Sequence, residues 1–143
     1  MKIFLAAISL LLFAFLLAGC GKSGEKKIYA GSVNEANIPR GSTYAKSQIE
    51  HKNVELTIES IGKIERNLSI KSQDGLKLGD CQQPIKFDWL EDEKKAYFST
   101  CQRVGTGETR NLGFGSMKQD GQNITIELTI DDIYYTFRGT QKP

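Results

Sequence analysis

Nucleophilic catalysis needs a base beside the nucleophile, and this chain offers a single histidine, His51, in the polar stretch Ile49-Glu50-His51-Lys52-Asn53. A lone imidazole among charged neighbours is expected on the surface. Carboxylates close enough to serve glycoside hydrolysis occur at Asp131-Asp132 and at Glu91-Asp92-Glu93, but adjacent acids between apolar runs read as solvated turns. The segment from Gly105 to Arg110, "GTGETR", lacks the Gly-Lys-Ser/Thr end of a phosphate-binding loop and reads as a flexible connection. Three cysteines, Cys20, Cys81 and Cys101, show no C-x-x-C spacing and no H-x-x-x-H partner, so a zinc site has no support. Asn67-Leu68-Ser69 and Asn123-Ile124-Thr125 match a glycosylation acceptor but lie inside strand-like runs. No catalytic residue, metal ligand or cofactor follows, and the expectation is a protein that acts without turnover.

Cys20 stands apart because of what precedes it. Lys2 is followed by an uncharged apolar run from Ile3 to Ala18, then Gly19-Cys20-Gly21-Lys22. The run is too short for a spanning helix of about 18 or more residues and has the grammar of a cleaved export signal. Leu17-Ala18-Gly19-Cys20 resembles the lipobox of bacterial lipoproteins. The resemblance covers residues 1–20 and implies cleavage after residue 19. Cys20 would then carry a diacylglyceryl thioether and an acylated, palmitate-bearing amino group. More than one chain is what lasting anchorage requires, at about 0.8 kcal/mol per buried methylene. With Gly21 rather than Asp next, the enterobacterial sorting pattern implies the periplasmic side of the outer membrane in a Gram-negative host. In other hosts it implies the outer face of the cell membrane.

If Cys20 is lipidated, Cys81 and Cys101 remain as an even pair in an exported chain, and a disulfide is expected. It would close a loop of about 20 residues, worth about 3 kcal/mol in the chain-entropy view. Loss of residues 1–19 removes one lysine and leaves 18 basic against 17 acidic side chains. That balance gives no electrostatic case for nucleic acid.

The elements that would position a site are strands. Residues 20–27 read as the lipidated cysteine and a flexible tether, 28–50 as poorly defined, and 51–143 as the β domain. Val54, Leu56 and Ile58 alternate with Glu55, Thr57 and Glu59, and Ile64, Leu68 and Ile70 continue with Arg66 as an interruption. Gln73-Asp74-Gly75 as a three-residue loop would pair Ile70 with Leu78. The same tripeptide at Gln119-Asp120-Gly121 would pair Ser116 with Ile124, Phe114 with Ile126 and Leu112 with Leu128. Asp131-Asp132 as a two-residue turn pairs Ile130 with Ile133, Leu128 with Tyr135 and Ile126 with Phe137. Ile85, Phe87 and Trp89 precede the turn "EDEK", setting Ala96 against Trp89 and Phe98 against Phe87. Helical periodicity is absent downstream of the signal. The fold class is therefore all-β, a small antiparallel barrel or sandwich of about seven or eight strands with one disulfide.

This register places Thr125, Glu127, Thr129, Tyr134, Thr136 and Arg138 on one outward face, with Gly113 and Gly115 beside them. Glycines there would admit a partner's backbone, and Tyr and Arg are favoured interface anchors. The expected protein is an envelope lipoprotein, held to the membrane by its lipid, whose β domain binds a protein or other envelope macromolecule as an inhibitor, exclusion or immunity protein. In size, anchor and single disulfide it is similar to the small β-barrel lipoprotein inhibitors of lysozyme, without an inhibitory-loop motif of that family. A structural component of an envelope or secretion assembly is the alternative, and an envelope hydrolase the third reading.

Overall fold

A computed structural model describes residues 24–112 and 115–143; Cys20, Gly113 and Phe114 lie outside them. Every regular element described is a strand: β1 (Lys26–Asn37), β2 (Ser47–Ser60), β3 (Glu65–Lys71), β4 (Ile85–Leu90), β5 (Lys95–Tyr97), β6 (Thr100–Gln102), β7 (Thr109–Asn111), β8 (Gly115–Asp120), β9 (Asn123–Ile130) and β10 (Ile133–Gln141). Eight of them form one antiparallel sheet in the order β5-β4-β3-β2-β1-β10-β9-β8, curled into a nearly closed barrel, while β6 and β7 make a separate ribbon. The edge strands β5 and β8 meet without a ladder. Side chains cover that seam instead: Phe98 follows β5, stacks on Phe87 with ring centroids 4.7 Å apart, and lies against Gly115. A Cβ at Gly115 would come within 2.4 Å of the Phe98 ring, so only glycine fits there.

Alternation explains most of the packing. Val54, Leu56 and Ile58 on β2, Ile124, Ile126, Leu128 and Ile130 on β9, and Ile85, Phe87 and Trp89 on β4 all point inward and are buried. The void left among Val33, Leu56, Leu78, Ile126, Tyr135 and their neighbours is about 10 Å³, room for one water at most. The barrel is a solid core, not a container. The Asp131-Asp132 turn carries the expected register, with Ile130 opposite Ile133, Leu128 opposite Tyr135 and Ile126 opposite Phe137. Trp89 faces Ala96 as expected. The Cys81–Cys101 disulfide is present, with Cα atoms 5.6 Å apart.

Four expectations fail, each for a physical reason. β1 occupies the end of the expected tether and much of the poorly defined stretch. Its inward side chains Tyr29 and Val33 are separated by Gly31, which hides the period. Gly31 is required because a Cβ would strike the Arg138 carbonyl oxygen on β10. Second, Gln73-Asp74-Gly75 does not join two paired strands, since β3 pairs with β4 and places Leu68 opposite Ile85. Leu76 and Leu78, two apart as in a strand, instead plug one end of the barrel from an irregular segment. Third, at Gln119-Asp120-Gly121 the register pairs Asp120 with Asn123, leaving Gly121-Gln122 as a two-residue turn with Gly121 at φ +59. Met117, not Phe114, therefore faces Ile126, and the expected pairing of Ser116 with Ile124 is replaced by Gln119 with Ile124.

The fourth concerns His51. Counting back from Val54 puts it outward, but Gly31 pairs with Val54 and Val33 with His51, so β2 holds one extra residue in a bulge where Asn53 sits at φ +55. Parity flips there. His51 turns inward and is only 12% exposed.

Candidate functional site

The barrel has two unlike ends. One is an open mouth, where the chain enters at β1, and where the turns between β2 and β3, β4 and β5, and β8 and β9 also lie. Its cleft of about 830 Å³ has a floor of Tyr29, Ile58, Trp89 and Met117. The wall carries Lys27, Arg66, Lys94 and Lys118 with Glu25, Glu91 and Asp120. Arg66 ceases to be an anomaly at this position. It keeps the inward register opposite Phe87, at the rim, and donates to the carbonyls of Gly62 at 3.1 Å and Glu65 at 2.9 Å. Trp89 donates its indole N–H to Glu91 at 2.5 Å. Burial, with Glu25 adding to it, pushes the Tyr29 hydroxyl up.

The other end is capped by the segment between β3 and β4. Besides Leu76 and Leu78, polar ties hold it, among them these four. Leu76 N donates to Ser72 Oγ at 2.7 Å, Gly79 N to the Tyr135 hydroxyl at 2.9 Å, and Ile70 N to Gln83 Oε1 at 2.6 Å. The fourth is His51, whose Nδ1 meets Asp74 Oδ2 at 2.6 Å and whose Nε2 meets Glu35 Oε2 at 3.1 Å. An imidazole with a carboxylate on each nitrogen is best served by two N–H donors, the charged form. Partial burial pushes the His51 pKa down, but the Asp74 and Glu35 bonds and charges outweigh it and raise it above 6.5. Asp74 is held below the usual carboxylate range, first by His51 and then by Ser72.

Next to the cap, the "GTGETR" stretch forms the β6–β7 turn and is pinned rather than loose, with Gly107 N on the Arg103 carbonyl at 2.9 Å. Arg110 bridges Asp80 of the cap to Asp131 of the β9–β10 turn, and Arg103 Nε lies 2.7 Å from Asp80. Partial desolvation pushes the Asp80 carboxyl up, yet Arg110 and Arg103 prevail and hold it low. Beyond this network project the residues linking β1 to β2. Tyr44 is 83% exposed there and the Arg40 side chain 95%, with Ile49 half-exposed at the start of β2.

The expected binding face assembles in part. Arg138 pairs with Thr125, Thr136 with Glu127 and Tyr134 with Thr129, so these six share the outer surface of β9 and β10. Tyr134 is half-exposed. Gly115 does not join them, because the register turns it inward opposite Leu128 and onto Phe98. Ser116 takes the outward place, its hydroxyl 3.3 Å from Glu127. Both cysteine sulfurs downstream of Cys20 are spent in the disulfide, which removes them as zinc ligands. Among the described residues no group of three or more His, Cys, Asp or Glu is placed to hold a metal. The mouth and the His51 clamp were not legible in the sequence: Glu35 and Asp74 lie 16 and 23 positions from His51. No family model, no curated protein and no solved structure matches the chain.

Proposed function

We propose that this is a lipid-anchored envelope protein whose β domain binds another macromolecule through its capped end and acts by binding, as an inhibitor, exclusion or immunity protein. The observation that carries the reading is polarity. The chain enters β1 at the mouth, while the exposed Tyr44, Arg40 and Ile49 project from the opposite end. Cys20 lies six positions before Lys26, about 20 Å at full stretch. The mouth would then sit near the bilayer and the capped end would face away from it. A solid interior supports surface recognition over enclosure of a small molecule. A barrel presenting an aromatic and an arginine on a projecting turn has the anchor types that interfaces favour.

A second reading, a component of an envelope assembly, is favoured by the six-residue outer face of β9 and β10, with Thr136 and Glu127 at its centre and the half-exposed Tyr134 at the end next to the Asp131-Asp132 turn. One experiment separates the two. A photocrosslinking residue is placed at 44 or at 134 in the full chain expressed in its host. An adduct from 44 alone supports the capped end, one from 134 alone supports the lateral face, and adducts at neither position defeat both.

A further inference from the structure

The mouth contains more charge than its own contacts use. Lys27, Arg66, Lys94 and Lys118 line the cleft, and none has a carboxylate within ion-pair distance among the described residues. Glu25 and Asp120 are equally without an ion pair, while Glu91 is engaged by the Trp89 indole. Around that ring the nearby surface is apolar in places, with Ile28 at 36% and Ile64 at 40% exposure. Tyr29 and Trp89 form the floor. Cations and carboxylates without an ion pair, an aromatic floor and two exposed isoleucines match the layer where lipid phosphates and amines lie over the first methylenes.

We propose that the mouth of the barrel seats on the bilayer and holds phospholipid headgroups, the lipid phosphate on Lys94, Lys118 and Arg66 and its amine toward Glu25 and Asp120. This rests on the lipid-anchor reading, because the tether from Cys20 is what keeps this end within reach of the membrane. The cleft is a polar vestibule over a closed core, so it takes headgroups and not an acyl chain drawn into the barrel. Such seating fixes the orientation of the domain, so that the capped end is held outward and not left to tumble on its leash.

Trp89, the only tryptophan, reports on this directly. The native protein is purified from membranes, placed in phosphatidylethanolamine–phosphatidylglycerol vesicles, and its emission is quenched with lipids spin-labelled at the headgroup or at the chain end. Headgroup label is expected to quench at least about twofold more than chain-end label, and Lys94→Glu with Lys118→Glu to abolish the difference. Both lysines are exposed, so the variant keeps its core. The mass of the N-terminal peptide is measured on the same sample. An acylated protein that floats with vesicles while Trp89 stays unquenched overturns the seating and leaves the anchor standing. An unacylated protein whose Trp89 is still quenched by added vesicles overturns the anchor and keeps the site. Neither acylation nor quenching defeats both.

Discussion

Replacing His51 by glutamine keeps a polar side chain beside the cap but removes the charge that two carboxylates share. The bonds at risk are 2.6 Å to Asp74 and 3.1 Å to Glu35, made by a ring only 12% exposed. Charge-assisted bonds of this kind contribute about 1.5–3 kcal/mol each when dry. Both acids are partly solvated, so screening brings the expected total for His51→Gln to about 1–2 kcal/mol. For a domain of this size that lowers the melting temperature by roughly 3–10 °C. The pH dependence has a definite sign. The folded pKa is raised above 6.5, so the stabilisation is complete below that value and fades as pH rises through the folded pKa. Melts followed by circular dichroism should therefore show the widest gap between parent and His51→Gln at pH 5.5 and a much narrower one at pH 9. With one histidine in the chain, the ring proton resonances titrate without ambiguity. A folded-state pKa at or below 6.5, or a gap that does not change with pH, would refute the clamp.

Gly115→Val drives a side chain into the Phe98 ring and should destabilise by about 1–3 kcal/mol or more, seen as a shifted urea midpoint with an unchanged slope. Reduction of the Cys81–Cys101 bridge, read in the same titration, should remove about 3 kcal/mol and release the cap first, with hydrogen exchange rising at Gly79 before it rises in β9. Leu78→Ala empties the plug and should cost about 2–5 kcal/mol, seen as a lowered urea midpoint. If Leu78→Ala proves neutral, that segment does not close the barrel.

Where a strand stands between two clear turns, its letters suffice. Val54, Leu56 and Ile58 alternate without a break, and Asp131-Asp132 or the acidic turn before Lys94 leaves one register that keeps every apolar residue inside. Two identical tripeptides met different fates because a turn's letters do not choose the register. At Gly121 a two-residue turn lets Met117 fill the mouth, whereas after Gly75 the chain abandons pairing so that Leu76 and Leu78 can stop the barrel. That plug exists only once the barrel has an end to close. The bulge at Asn53 is similar: one extra residue inverts the face of everything before it, and nothing local to "HKN" announces it. Local pattern therefore puts His51 on the surface, and its acids, on β1 and on the cap, are brought to it by topology alone. The outward face from Thr125 to Arg138 is readable because it follows from one hairpin, whereas the inward place of Gly115 depends on the register of the next.

The mature N-terminus of the native protein tests the reading of its role most directly. Intact-mass and peptide analysis of protein taken from its own host membranes should find residue 20 first in the chain, with a diacylglyceryl group on sulfur and an acyl group on nitrogen. An unmodified chain beginning at Met1, with a free thiol at position 20 and no membrane association, would contradict it.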